Sequence, residues 1–331
     1  MSAASTPRDP AGPAEATVAA ARRPSARARL GVVILNYRTP QLVIDCLRSL
    51  HGEVDPERDR VVVVDNASGD GSAKRIRAAI AREGWAHARV VESSDNGGFS
   101  AGNNIGIRAV DAAAYLLLNS DTVVRPGAIQ RLREALEGDP AAGLVGPRLE
   151  DPDGSVQVSC FRSPTVWSEL IYAARTSAVS RALARYVVPV FPEEAPTDPE
   201  WTSFAAVLIR REVFEQVGLL DEGYFMYFED VDYCRRARRA GWKIRHQAEA
   251  RVVHLHGASS HVEDMTRARE RRPRYYYASR SRYFRKAFGE VGLLAANSMW
   301  TIGRGVSALR EVFGKKPPHT VAFELVDNWR G

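Results

Sequence analysis

The 331-residue sequence has little cysteine: Cys46, Cys160 and Cys234 are scattered along it. They build no C-x-x-C pair, zinc spacing or disulfide framework, so folding rests on a packed core and reduced thiols are expected. Long hydrophobic runs are missing as well. The longest, residues 112–118 and 204–209, suit buried strands and fall short of the roughly 18 residues a bilayer span needs. No apolar leader stands near the start, and cytoplasmic residence is expected. Acids are scarce in residues 1–29, which hold ten Ala, five Arg, four Pro and two acids without periodicity. That composition predicts a disordered basic tail. The net charge of +6 favours an anionic partner: a nucleotide, a nucleic acid or an anionic membrane.

From Gly31 the pattern changes. Residues 32–35, 61–64, 89–91 and 115–118 are short β-rich apolar runs. Between them lie stretches with helical spacing: Leu42, Val43, Cys46, Leu47 and Leu50 after Pro40, then Ala73, Ile76 and Ile80. A further helix is predicted after Pro126, with Ile129, Leu132 and Leu136 inward. Alternating strands and helices imply βαβ units and a mainly parallel α/β sheet. Unbroken apolar strands imply helices on both faces. Such sheets bind ligands beyond the carboxyl ends of their strands, where this sequence places Asn36, Asp65, Asn96 and Asp121. After residue 140 the alternation weakens, leaving a strand at 204–209, a short helix at 210–217, a helix ending near Gly241 and a last strand at 251–256.

Four groups can carry chemistry. Asn119-Ser120-Asp121 follows a buried strand; a carboxylate there can hold Mg²⁺ or Mn²⁺, although the same residues are ordinary turn formers. The glycine-rich stretch 95–104 lets backbone approach a ligand, but it is neither a Walker A nor a G-x-G-x-x-G sequence. Glu229, Asp230 and Asp232 open a helix after four residues rich in aromatics. Acids against such surface have raised pKa values and suit a general base; acids at a helix start also simply complement its dipole. His254 and His256 share one face of a strand, either as metal or phosphate contacts or as structural residues.

The ordered set is more specific than its members. Val-Val-Ile-Leu-Asn-Tyr (32–37), Val-Val-Asp-Asn-Ala-Ser (63–68), Asn-Gly-Gly-Phe-Ser-Ala-Gly-Asn-Asn (96–104) and Leu-Leu-Asn-Ser-Asp-Thr (117–122) come first. Phe-Met-Tyr-Phe-Glu-Asp-Val-Asp-Tyr-Cys (225–234) and His-Leu-His-Gly-Ala-Ser (254–259) follow. Together they resemble the family-2 glycosyltransferases, in particular the rhamnosyltransferase-like branch, over roughly residues 30–286. The resemblance implies a GT-A fold, a Rossmann-like mixed central sheet with helices on both faces, and inverting transfer from a nucleotide-diphosphate sugar, dTDP- or UDP-linked. It places Asn36, Tyr37, Asp65, Asn66, Asn96, Gly98, Phe99 and Asn103 around the nucleotide. It makes Asp121 and His254 the ligands of a divalent metal (Mg²⁺ or Mn²⁺), with His256 the fallback. Asp230 becomes the catalytic base, supported by Glu229 and Asp232. Asn119 stands where the family usually has the first acid of its short motif, and Phe204 where a small Gly is common. Gln157 also resembles a feature of the branch.

The expected organisation is a tail (1–29), a glycosyltransferase domain (30–260) with nucleotide-binding (30–137) and acceptor (138–260) halves, and a helical C-terminal extension (261–331). From Arg267 to Lys286 there are nine Arg or Lys and one Glu, interleaved with Tyr275, Tyr276, Tyr277, Tyr283 and Phe284. Ile302, Val306, Leu309 and Phe313 mark one face of an amphipathic helix. With a glycan or lipid-linked acceptor, residues 267–313 are expected to lean on anionic membrane at the cytoplasmic face. Arg interleaved with Tyr also suits single-stranded nucleic acid. No RRM, KH or zinc-finger pattern accompanies it, and no nucleic-acid partner is expected. A catalytically inactive family member is the other alternative, and the joint presence of Asp121, Asp230 and His254 argues against it.

Overall fold

The computed structural model describes residues 27–191, 196–255, 262–314 and 321–331. Strands β1 (Ala28–Asn36), β2 (Asp59–Asp65), β3 (Ala88–Glu92) and β4 (Ala112–Asn119) alternate with helices α1 (Pro40–Ser49), α2 (Ser72–Arg82) and α3 (Gly98–Ala109). Then come β5 (Thr122–Val124), α4 (Ala128–Gly138), β6 (Ala142–Glu150) and β7 (Cys160–Phe161). Helices α5 (Val166–Ala174) and α6 (Ser177–Ala182) lead through a 3-10 turn (Ala184–Tyr186) to β8 (Pro189–Val190), β9 (Trp201–Thr202) and β10 (Ala206–Arg210). The chain ends with α7 (Arg211–Val217), α8 (Glu229–Arg239), β11 (Lys243–His254), α9 (Val262–Ala268), α10 (Arg274–Phe313) and α11 (Glu324–Arg330).

Eight strands form one sheet in the order β3-β2-β1-β4-β10-β6-β11-β5, and β8-β7-β9 form a small second one. The first four are parallel, whereas β10 runs antiparallel to both β4 and β6. The sheet is therefore mixed, as the family resemblance implied. Strand alternation feeds two cores. Val32, Ile34, Val61, Val63, Leu116 and Leu118 pack on one face against α1, α2 and α4. Val33, Val62, Val64, Leu117, Val207 and Ile209 pack on the other against α3, α7 and α8. Each such side chain contributes about 1.5–3 kcal/mol when fully buried. Gly102 and Gly106 let α3 settle on β1, since a Cβ there would lie 2.3 Å from Leu35 and from Val33 respectively. The cysteines are buried too, and burial pushes the Cys46 thiol up to about 12 and Cys160 to about 11, so neither is a reactive thiolate.

Several sequence expectations change. Strand β1 begins at Ala28, inside the stretch read as tail, because Arg29 pairs with the fully buried Asp59 and the Ala28 amide donates to the Asp111 carbonyl. The remainder of that stretch (1–26) lies outside the described residues, as does His256. Strand β6 was hidden by Gly143, Gly146 and Pro147, poor strand formers. They are tolerated because Gly143 meets Trp242 and Val213, and Gly146 meets Thr202, leaving no room for a side chain.

The C-terminal extension is helical, as expected. Helix α10 is broken at Gly289 (φ +75°). Beyond the break its buried face is Leu293, Ala296, Trp300, Gly303 and Ser307, and it packs along α5. Gly303 permits this, since a Cβ there would lie 2.7 Å from the Leu170 carbonyl oxygen. Ile302, Leu309 and Phe313 point away, 52%, 61% and 81% exposed. The basic stretch before the break is in large part ion-paired, although Arg269 and Arg274 are exposed. Arg271 pairs with Asp327, Arg272 with Glu324, Arg280 with Glu169, and both Arg282 and Lys286 with Asp221. Tyr277, Tyr283 and Phe284 are buried. Ion pairs and packed rings here brace the fold.

Candidate active site

A cavity of about 710 Å³ opens at the carboxyl ends of β1 and β4, the point where strand order reverses. Tyr37, Asn66, Asn96, Gly98, Phe99, Asp121, Glu229, Asp230 and His254 all line it. Asp121 and Asp230, far apart in sequence, thus face one space. Strand pairing explains the position of the histidine. His254 on β11 sits opposite Thr122 on β5, which sets His254 Nε2 3.6 Å from Asp121 Oδ1.

Four residues assigned to the site by resemblance lie off the cavity. Asn36 and Asp65 are one layer behind it: Asn36 Nδ2 donates to Asp65 Oδ1 (2.6 Å) and to Ser68 Oγ (3.1 Å), tying β1 to the loop after β2. Asn103 is buried in α3 and donates to the Phe99 carbonyl (3.0 Å). Asp232 is buried against Arg236 (2.9 Å) and Lys286 (2.8 Å), a structural ion cluster. These residues hold neighbours in place; they do not border the ligand space.

The glycine loop and the acidic loop are joined directly. Asn66 Nδ2 donates to Asn96 Oδ1 (2.8 Å) and to the Gly98 carbonyl (3.1 Å), and the Phe99 amide donates to the Phe225 carbonyl (2.6 Å). Gly98 has φ +81°, and a Cβ there would lie 2.1 Å from the Phe225 carbonyl oxygen. Gly98→Ala is expected to cost about 2–4 kcal/mol and to weaken binding of a nucleoside diphosphate at least tenfold. Calorimetric titration with UDP and dTDP, beside a thermal melt, checks both.

Tyr227 (φ +70°) and Phe228 (φ +66°) are left-handed in succession immediately before α8. Bulky residues adopt this conformation only when their surroundings hold them there, at about 1–2 kcal/mol each. The aromatic stretch of α10 supplies the hold: Tyr276 meets Tyr227 at 5.6 Å, Tyr283 meets Phe228 at 5.6 Å, and Ser279 donates to the Met226 carbonyl (2.9 Å). The feature that suggested a nucleic-acid surface thus fixes where the acids point.

Burial pushes the Glu229 carboxyl well above its ordinary range, and the Asp230 charge adds to this. Burial also raises Asp230, to about 6, although the backbone amides of Val231 and Phe204 pull it back. Both carboxyls therefore hold a proton more readily than ordinary acids, and Asp230, at about 6, is largely a carboxylate near neutral pH and able to accept a proton. Sequence reasoning gave no role to Gln157, which lines the cavity and donates to the His254 carbonyl (2.8 Å) and to Asp151 (2.8 Å). It also did not foresee that Phe161 and Trp201, stacked at 4.0 Å, form one wall. Phe204 is buried in the wall, with its ring edge-on to Tyr233.

The family described as "Glycosyltransferase like family 2" matches residues 27–278. The chain belongs to that family. An N-acetylglucosaminyl-diphospho-decaprenol L-rhamnosyltransferase of Mycobacterium tuberculosis is 33% identical over 266 residues, spanning 76% of this chain and 81% of the relative. Among solved structures, the mannosyltransferase PcManGT of Pyrobaculum calidifontis, in complex with GDP-Man and Mn²⁺, superposes with a TM-score of 0.57 at 16% identity. That match covers 89% of this chain and 78% of the other. GalNAc-T7 with UDP, GalNAc and Mn²⁺ superposes with a TM-score of 0.54 at 14% identity, over 88% and 57% of the two chains. The fold of this family-2 glycosyltransferase is accordingly GT-A. Nucleotide-sugar transfer is its chemistry, and the cavity lies at the switch point, where open α/β sheets bind ligands.

The donor set also bears on a metal. No group of three or more His, Cys, Asp or Glu suited to a metal is present among the described residues. Asp121 and His254 are two such side chains, side by side, and no Lys or Arg lines the cavity among the described residues. A hard divalent cation that takes its remaining oxygens from a diphosphate and water fits this pair.

Proposed function

We propose that this enzyme transfers a sugar, with rhamnose the first candidate, from a dTDP- or UDP-linked donor to a hydroxyl of a glycan or lipid-linked acceptor, with inversion. Its setting would be cell-envelope polysaccharide or glycoconjugate synthesis at the cytoplasmic face of the membrane. The observation that carries the reading is the shared cavity of Asp121 and Asp230. The rhamnosyltransferase relative, named for a diphospho-decaprenol substrate, supports the acceptor class. No helix among the described residues is long and apolar enough to cross a membrane. Contact with a bilayer would then fall to the exposed apolar face of α10, because the arginines before Gly289 are largely paired.

In this mechanism Asp230 accepts the proton of the acceptor hydroxyl. The oxygen attacks the anomeric carbon, the glycosidic bond forms, and the bond from that carbon to the diphosphate breaks on the opposite side. Glu229 lines the cavity beside Asp230 and can hydrogen-bond the acceptor. Asp121 and His254 would hold the divalent cation, which when bound supplies positive charge to the departing diphosphate.

A thermal-shift panel of nucleotide sugars tests the reading. The cognate donor at about 100 times its Kd should stabilise the protein by about 2.7 kcal/mol, and only with Mn²⁺ or Mg²⁺ present. If no nucleotide sugar shifts the melt under either condition, the reading fails.

A further inference from the structure

A second cavity, of about 420 Å³, lies beyond the stacked pair Phe161 and Trp201. These two rings line both cavities and so form the partition between them, 4.0 Å apart and 12° from parallel. Both spaces are clefts, not sealed voids, and they meet at these two rings. The second is walled by Ile171 of α5, Val187 and Val188 before β8, and Trp300 of α10.

The charged groups in this wall are matched within the protein. Arg272 donates to Glu324 (2.9 Å), to the Tyr172 hydroxyl (2.7 Å) and to Thr266 (2.9 Å). Arg280 donates to Glu169 (2.6 Å) and to Asn297 (2.7 Å). Guanidinium groups this well satisfied gain little from a phosphate and would lose a buried carboxylate partner to it. What remains facing the space is mostly hydrocarbon and aromatic ring, with Ser168 and Asn328 the polar exceptions, which favours an apolar occupant.

We infer that the second cavity receives the hydrocarbon chain of a polyprenyl-type acceptor whose sugar-bearing head lies in the first cavity, on the Asp230 side of the ring pair. This rests on the lipid-linked acceptor class proposed above. Its physical basis is continuity: the walls of the apolar cleft and of the catalytic cavity share two side chains. The partition then separates a polar reaction space from a greasy one. Chain binding positions the acceptor hydroxyl without any charge from this second wall.

The test uses the full chain with a brominated farnesol and the corresponding farnesyl phosphate as probes. Bromine quenches the fluorescence of Trp201 and Trp300, which line the cavity. Val188→Phe and Ile171→Phe fill the space from two different elements. Both should weaken brominated-farnesol quenching at least tenfold while leaving UDP and dTDP binding at the wild-type value, which certifies the fold. The alcohol should bind within about threefold of the phosphate, since the chain carries recognition. Absence of quenching in the wild type, quenching in both filled variants equal to that of the wild type, or dependence on the phosphate group alone each overturns the inference. Chain binding is read without a donor, so it stands or falls separately from transfer. An enzyme that binds farnesol but moves no sugar would refute the proposed function and leave the cavity assignment intact.

Discussion

Asp230→Asn is expected to slow sugar transfer by about 10²–10⁴-fold while donor affinity stays near wild type. The amide keeps the size and most of the hydrogen bonding of the carboxylate, including acceptance from the Val231 amide (2.8 Å). It cannot take a proton from the acceptor. The pH profile gives an independent readout. A base held at about 6 is protonated below that pH, so kcat should fall about tenfold per unit as pH drops under 6 and level off above it. The Asn variant should lose that slope. Glu229→Gln, which leaves the base Asp230 in place, should cost far less and keep the slope.

Stability should move the opposite way. The folded pKa of Asp230 lies above its ordinary value of 3.8, so between 3.8 and about 6 the native state binds more protons than the unfolded one. Unfolding free energy then falls as pH rises through that window. Removing the acid should raise Tm at neutral pH by about 2–4 °C. A variant that turns over at the wild-type rate, or melts lower with its activity gone, would not fit a strained catalytic base.

Much of this site was legible in the sequence because a buried strand leaves a clear mark. The runs 32–35, 61–64 and 115–118 gave β1, β2 and β4, and with them the residues at their carboxyl ends. What the pattern did not reveal is which side of a strand end each residue takes. Successive residues alternate, so Tyr37 and Asn66 reach the cavity while Asn36 and Asp65 turn behind it. Helical rotation has the same effect in α8. Two positions on, Asp232 is turned by about 200° from Asp230 and meets Arg236 and Lys286 instead. The packing of the C-terminal extension was not legible for another reason. Which face of α10 is buried depends on the approach of α5 over Gly303, a tertiary fact that its own apolar spacing does not encode. Likewise, much of the charge of residues 267–286 is met by acids distant in sequence: Glu169, Asp221, Glu324 and Asp327.

Asp121→Asn should be the second most damaging change, lowering transfer by about 100-fold or more. With Asn119 neutral, Asp121 is the only carboxylate on its wall of the cavity among the described residues, facing Glu229 and Asp230 across the space. No described Lys or Arg lines the cavity to share the task of meeting a diphosphate's charge. Losing Asp121 therefore removes the anion that makes a cation favourable at that point, and His254 alone is a weak ligand for Mg²⁺ or Mn²⁺. His254→Ala, which leaves the carboxylate, should cost about tenfold. Titrating Mn²⁺ into chelator-treated enzyme separates the two: half-activation should shift to higher metal in both variants, further in Asp121→Asn. The change is polar-for-polar at a cavity wall, so melting should stay within about 1 °C of wild type, and lost activity would report on the site alone. Full activity of the chelator-treated wild type, together with wild-type turnover of Asp121→Asn, would leave the diphosphate without any counter-charge among the described lining residues and would force a different account of how its departure is stabilised.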